Sequence, residues 1–125
     1  MPFGLYLHFP FCRHKCAYCD FYKEHYDTTL EARFYEALRI ETDLAAESLR
    51  ERDLRVATLY IGGGTPSLTS IEPFRAWLEQ VRKLFGWERP IEFSFEINPE
   101  SCSLGLLQAL FELGVTRPVF GVQSF

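Results

Sequence analysis

Apolar and polar positions along this chain switch repeatedly between a period of two and a period near 3.6. Leu5, Leu7 and Phe9 alternate with Tyr6 and His8, which predicts a short strand over residues 5–9, ended by Pro10. From Thr28 the recurrence turns helical, with Leu30, Phe34, Leu38, Ala45 and Leu49 on one face, and Thr28 with Glu31 reads as a capping box at its start. Glu31, Arg33, Glu36 and Glu47 read as the solvated face of that helix. Residues 56–61 form a second apolar run, stopped by GGGTP. Phe74, Trp77, Leu78, Val81, Leu84 and Phe85 then predict a second amphipathic helix. It starts near Ser70, accepts Pro73 in its first turn and closes at Gly86. A third strand over 91–97, a third helix over 104–113 with Gly114 beyond it, and a fourth strand over 119–122 complete the pattern.

Strands alternating with helices predict successive βα units on a parallel sheet, so the fold class is α/β. The two faces of the strands differ. Tyr6 and His8 oppose Leu5, Leu7 and Phe9; Glu92, Ser94 and Glu96 oppose Ile91, Phe93, Phe95 and Ile97; Gly121 and Gln123 oppose Phe120 and Val122. A strand buried on both faces of a doubly wound sheet would be apolar on both. One apolar and one polar or small face fits a barrel-like wall, helices outside and a ligand-lined lumen inside. The sequence stops at its fourth predicted strand without a following helix. Residues 1–125 are therefore expected to be the N-terminal portion of a larger domain, with that strand left as an unpaired edge.

Composition narrows the function classes. With 47% hydrophobic and 24% charged residues and a net charge of −4, the chain has an ordinary globular balance. It carries no basic stripe of the kind that neutralises phosphates, which argues against a nucleic-acid surface. The N-terminal MPFGLYLHFPF lacks the basic flank and small-residue cleavage site of a signal peptide, and no stretch is long enough to span a bilayer. The expected compartment is the cytoplasm, where closely spaced thiols bind metal more often than they form disulfides.

Three of the four cysteines, Cys12, Cys16 and Cys19, fall in FPFCRHKCAYCDF, residues 9–21. This C-x₃-C-x₂-C spacing puts three thiolates on one short loop. Iron–sulfur clusters are held by cysteine thiolates, normally four, so three would leave one iron open to another ligand. Structural zinc with His14 or His25 as fourth ligand is the competing reading, but such sites usually bring a second ligand pair. Cys102 stands alone and reads as a small packed residue. The triplet Gly62, Gly63 and Gly64 by itself signals only a tight turn or a close backbone approach.

YLHFPFCRHKCAYCDF, YIGGGTP, FEINPES and FGVQSF follow in that order at the ends of the four predicted strands. Together they resemble the radical S-adenosylmethionine (SAM) superfamily. Within it they are similar to the oxygen-independent coproporphyrinogen III oxidases and their haem-chaperone relatives. The resemblance spans residues 6–125 and implies a partial (β/α)₆ barrel with chemistry at the strands' C-terminal ends. It implies a [4Fe–4S] cluster on Cys12, Cys16 and Cys19, its open iron chelated by SAM, and reductive SAM cleavage to methionine and a 5′-deoxyadenosyl radical. It places SAM against Gly63, Gly64 and Thr65, with Glu96 at the ribose and Gln123 as a further contact. Tyr6 matches an aromatic that touches SAM, and Tyr18 one beside the last thiolate; core packing is the alternative for either ring. Haem or a porphyrinogen and an electron donor such as flavodoxin or ferredoxin are the implied partners.

Phe21 occupies a position where the oxidases usually carry a further cysteine, and an aromatic there is the pattern of the haem chaperones. The expected function is accordingly haem-chaperone-like, the alternative being oxidative decarboxylation to protoporphyrinogen IX. Thr116 and Pro118 depart from the family pattern. Lacking an N–H, Pro118 should begin a strand or lie on an edge.

Overall fold

The computed structural model describes residues 1–13, 24–87 and 92–121. Its elements are β1 (Pro2–Phe9), β2 (Phe11–Cys12), β3 (Glu24–His25), α1 (Thr28–Ser48), β4 (Arg55–Gly63), α2 (Ile71–Phe85), β5 (Glu92–Ile97), α3 (Leu104–Leu113) and β6 (Arg117–Phe120). Short 3₁₀ turns at Pro66–Leu68 and Pro99–Ser101 follow β4 and β5. Strands β1, β4, β5 and β6 pair in parallel, in that spatial order, while β2 and β3 form a separate parallel ladder. Each long strand thus lies beside the one before it, the arrangement expected of consecutive βα units, and the fold is α/β.

The two faces of the sheet are segregated as the alternation predicts. Leu7, Phe9, Leu59, Ile61, Phe93, Phe95 and Ile97 are buried in one cluster with Phe74, Trp77, Leu78 and Val81 of α2 and Leu106 and Leu110 of α3. Each such side chain removed from water contributes about 1.5–3 kcal/mol, so this layer carries most of the stabilisation. Tyr6, Tyr60, Ser94 and Arg117 line up at one level of the other face, through the ladders that join β1 to β6.

Helix ends follow local chemistry. The first turn of α2 holds Pro73, where a missing N–H breaks no intrahelical bond, and Gly86 ends it in the left-handed region at φ 62°. The Ser103 hydroxyl accepts the Leu106 N–H at 3.0 Å to open α3, and Gly114 at φ 103° closes it.

The start of α1 corrects the sequence reading. Helix α1 does begin at Thr28, but the cap is Asp27, whose Oδ1 accepts the N–H groups of Thr29 at 2.8 Å and Leu30 at 3.0 Å. Glu31 does not close a capping box, nor does it belong to the solvated face: it is 3% exposed. Its carboxylate accepts the Ser70 N–H at 2.9 Å, the Ser70 hydroxyl at 2.7 Å and the Tyr26 hydroxyl at 3.4 Å. A carboxylate one residue upstream reaches the orphan N–H groups better, which leaves Glu31 free to satisfy the start of α2. Most of the expected helix faces pack as read: Phe34 and Leu38 of α1 with its C-cap Leu49, and Phe74, Trp77, Leu78, Val81 and Phe85 of α2, lie against or within the core. Leu30 and Leu84 are the exceptions and are exposed, while Tyr35 and Thr42 are buried, the Thr42 hydroxyl accepting Trp77 Nε1–H at 3.0 Å.

Strand limits differ modestly. β1 and β4 extend beyond the expected 5–9 and 56–61, because their ladder runs from Pro2↔Arg55 to Phe9↔Gly63. β6 starts at Arg117, and Pro118 lies on the outermost strand of the described sheet, as its missing donor requires. Ile91 and Val122, the expected start of β5 and end of β6, lie outside the described residues.

Replacing Glu31 with Ala leaves two Ser70 donors without their acceptor. In urea unfolding of the full-length protein we expect Glu31→Ala to cost about 1–3 kcal/mol, against roughly 1 kcal/mol for Asp27→Ala. A negligible cost for Glu31→Ala would return that residue to the solvated face.

Candidate functional site

β1 and β4 stay in register to their last residues, His8↔Gly62 and Phe9↔Gly63. Beyond them the two chains are joined again. The Gly64 N–H donates to the Phe9 carbonyl at 2.7 Å and the Thr65 N–H to the Phe11 carbonyl at 2.8 Å. This close approach admits no side chain. A Cβ on Gly63, whose φ is 111°, would lie 2.6 Å from the Phe9 carbonyl oxygen; one on Gly64 would lie 2.6 Å from the Phe11 carbonyl oxygen and 2.9 Å from Cys12 Sγ. Such distances are well inside van der Waals contact, so glycine is required here before any ligand is considered. The first thiol of the cysteine loop therefore sits directly against the glycine turn.

Cys12 is half-buried and its backbone is held from the far side too. β2 pairs with β3 through Cys12↔His25, and the Tyr26 N–H donates to the Cys12 carbonyl at 2.8 Å. Phe11 packs edge-on against Tyr26 and Phe34, which anchors this ladder to α1.

Glu96 approaches the same turn from the end of β5. Its Oε1 accepts the Gly63 N–H at 3.2 Å and its Oε2 the Tyr60 hydroxyl at 2.6 Å. Gly62 makes room for both, since a Cβ there would lie 2.8 Å from Tyr60 Cε1 and 3.0 Å from Glu96 Oε1. Tyr60 stacks on Tyr6 with ring centroids 5.9 Å apart, and the Tyr6 hydroxyl shares a 3.1 Å hydrogen bond with His8 Nδ1. Behind Glu96, the Asn98 N–H donates to Ser67 Oγ at 3.0 Å, and the Ser67 and Ser101 hydroxyls bond each other. The NPES turn after β5 is thereby tied to the turn after β4.

The Tyr60 hydroxyl is pushed up to about 12, first by its hydrogen bond to Glu96 and then by desolvation. Tyr6 is raised by desolvation and by the Glu96 charge. Both phenols are therefore neutral donors near neutral pH. At the far end of β5, the Ser94 hydroxyl and then the Arg117 guanidinium hold Glu92 below its ordinary value.

Of the residues singled out in the sequence, Cys12, Gly63, Gly64, Thr65 and Glu96 meet at the C-terminal ends of β4 and β5 and the start of the cysteine loop, and Tyr6 joins them through Tyr60. Cys16, Cys19, Tyr18, Gln123, His14 and Phe21 lie outside the described residues. His25 is exposed, and Cys102 is partly buried against the core. Tyr60 is not singled out by the sequence reading, and Gly62 enters it only as part of the glycine triplet. Their signal was the alternation of Thr58, Tyr60 and Gly62 with Leu59 and Ile61, the same polar-face periodicity that marks Tyr6 and His8 in β1. A cleft of about 430 Å³ between the C-terminal ends of α1 and α2 contains none of these residues.

Alkaline titration reports on the phenols. The folded protein holds the Tyr60 proton more tightly than the unfolded chain, where tyrosine titrates near 10. Stability from this shift is thus intact below pH 10 and is lost as pH rises toward about 12. Tyr35, raised chiefly by burial, adds a decline of the same sign. Among the described residues, Glu96 of β5, Tyr6 of β1 and Arg117 of β6 are the ionisable groups that act on Tyr60. Melting midpoints between pH 9 and 12 should fall less steeply in Tyr60→Phe than in the wild type; equal slopes would mean that the Glu96 bond does not hold that proton.

Comparison with known proteins places this geometry. The model of the radical SAM superfamily matches residues 6–125. The chain is 40% identical to the haem chaperone HemW of Mycobacterium tuberculosis, over 98% of this chain and 32% of that protein. It is 35% identical to the oxygen-independent coproporphyrinogen III oxidase of Bradyrhizobium diazoefficiens, over 98% of this chain and 27% of the relative. Among solved structures, coproporphyrinogen III oxidase (HemN) from Escherichia coli, a radical SAM enzyme, superposes with a TM-score of 0.79 at 27% identity, covering 99% of this chain and 28% of that one. The chain thus spans about a third of the length of the curated relatives it matches.

Proposed function

The chain belongs to the radical SAM superfamily, and on that premise we propose that it forms the N-terminal portion of a cluster- and SAM-binding core in a protein of haem metabolism. The superfamily as a whole works with a [4Fe–4S] cluster and SAM. In this chain Cys12, Cys16 and Cys19 would hold the cluster, and Gly63, Gly64, Thr65 and Glu96 would hold SAM, with Tyr6, Tyr18 and Gln123 as further contacts. Three thiols within eight residues form the soft donor set that iron–sulfur centres take. Bound together, the two groups supply a one-electron reductive cleavage of a carbon–sulfur bond.

One observation carries the SAM side of this reading. The N–H groups of Gly63, Gly64 and Thr65 are all given to protein acceptors: Glu96, the Phe9 carbonyl and the Phe11 carbonyl. A glycine turn that cradles a phosphate needs those donors free. With those backbone donors spent, this turn offers a ligand its carbonyl acceptors and the Thr65 hydroxyl, backed by the Glu96 carboxylate. That suits an ammonium group and ribose hydroxyls rather than an anion, and both belong to SAM.

For the protein as a whole we favour haem binding and transfer. Phe21 supports it, since the cysteine usual in the oxidases is replaced by an aromatic, and so do the haem-chaperone relatives. The oxidase is the second reading, favoured by the oxidase relative and the structural neighbour. Haem or a porphyrinogen, and a flavodoxin or ferredoxin as electron donor, would be its partners in the cytoplasm. No helix among the described residues is long and apolar enough to cross a membrane.

Anaerobic reconstitution of the full-length protein should give about four irons and four sulfides per chain. Cys12→Ala, Cys16→Ala and Cys19→Ala should each abolish this, and Cys102→Ala should not. Stoichiometric zinc, or equal loss from Cys102→Ala, would overturn the cluster assignment. With SAM, reductant and coproporphyrinogen III, the full-length protein should bind haem stoichiometrically when haem is added and release no carbon dioxide above background; robust protoporphyrinogen formation would establish the oxidase instead.

A further inference from the structure

We infer that Tyr60 is a positioning residue that aims the free lone pairs of Glu96 and so makes the site selective for a ligand presenting two vicinal hydroxyls. The inference rests on the proposed role of Glu96 as the ribose contact and adds to it the group that sets its direction.

A glutamate near the end of a strand has three rotatable bonds, and an unfixed carboxylate would sample many orientations. Here both oxygens are fixed. Oε2 takes the Tyr60 hydroxyl at 2.6 Å and Oε1 the Gly63 N–H at 3.2 Å. A carboxylate offers about four acceptor positions, two on each oxygen. With one on each oxygen occupied, one on each remains among the described residues. Two acceptor sites on adjacent oxygens match a pair of adjacent hydroxyl donors, which is the chemistry of a cis-diol.

Tyr60 is itself held rather than free. Its ring stacks on Tyr6, and it sits at the same level as Tyr6 and Ser94 in the neighbouring strands. The absence of a side chain at Gly62 lets ring and carboxylate meet, since a Cβ there would strike both. The phenol stays protonated far above neutral pH, so it remains a donor wherever the site would work. Replacing it with Phe preserves the stack and deletes only the bond that orients Glu96.

The test is a double-mutant cycle on the reconstituted full-length protein, with SAM affinity measured by calorimetry for the wild type, Tyr60→Phe, Glu96→Ala and the double variant. Tyr60→Phe should weaken SAM binding by about five- to tenfold. In the Glu96→Ala background the same change should have no further effect, because a group acting through Glu96 has nothing left to act on. A SAM analogue lacking the ribose 2′-hydroxyl supplies a readout that simple loss of stability would not move. The wild type should prefer SAM over this analogue, and Tyr60→Phe and Glu96→Ala should both lose most of that preference while keeping the iron content and cluster absorbance of the wild type. Multiplying penalties in the double variant, or undiminished discrimination in Tyr60→Phe, would overturn the inference and leave the proposed function standing. Wild-type affinity for SAM in Glu96→Ala would defeat the ribose assignment itself and the inference with it.

Discussion

Three successive residues at the end of β4 have no space for a side chain, and each is confined by a different neighbour. Gly62 is closed off by Tyr60 and Glu96, Gly63 by the Phe9 backbone, and Gly64 by the Phe11 carbonyl and the Cys12 thiol. This steric exclusion makes the turn the hub of the structure. Through it the exit of β1, the end of β5 and the entry to the cysteine loop come within hydrogen-bonding reach of one another. Any side chain larger than hydrogen would push at least one of them away, and the site would lose a member rather than merely change shape.

Polar contacts behind the hub, buried or partly buried, keep it from drifting. Glu31 binds both donors of Ser70, the Tyr35 hydroxyl bonds Thr69, and Ser67 receives the Asn98 N–H. These bonds cross between elements far apart in sequence, and all of them touch the segment that connects β4 to α2 or its continuation. Unpaired, each group would be costly in an apolar surrounding; paired, they specify one arrangement of that connection. The chemical face is therefore supported by a satisfied polar layer and, below it, by the aromatic core.

Much of this was legible in the sequence because period and punctuation are local. The limits of α3, 104 and 113 with Gly114 beyond, were read as they stand, while the Ser103 cap that opens it emerged only from the structure. The segregation of apolar and polar strand faces followed from alternation alone. The margins of the helix faces were not legible: Leu30 and Leu84 fit the helical period yet are exposed, because spacing does not say how far a neighbour reaches around a helix. Glu31 looked like a surface acid until its partner Ser70, distant in sequence, came into view. At the site, the cysteine spacing and the glycine triplet announced themselves, but the reason for the glycines did not. The space they leave is filled by the protein's own backbone and side chains, which only the folded arrangement reveals. Tyr60 was hidden for the same reason, its partner Glu96 lying on another strand.

The parallel pairing of β2 with β3 brackets the cysteine loop. Cys12↔His25 and the Tyr26 bond to the Cys12 carbonyl close the cysteine loop at its base. The buried cluster of described apolar residues draws on Phe9 and Phe11 before the loop, with Tyr26 packed against it from the other side. The two ends of the loop are thereby held side by side, so a change of length between Cys12 and His25 would be taken up within the loop rather than passed on to β1 or α1.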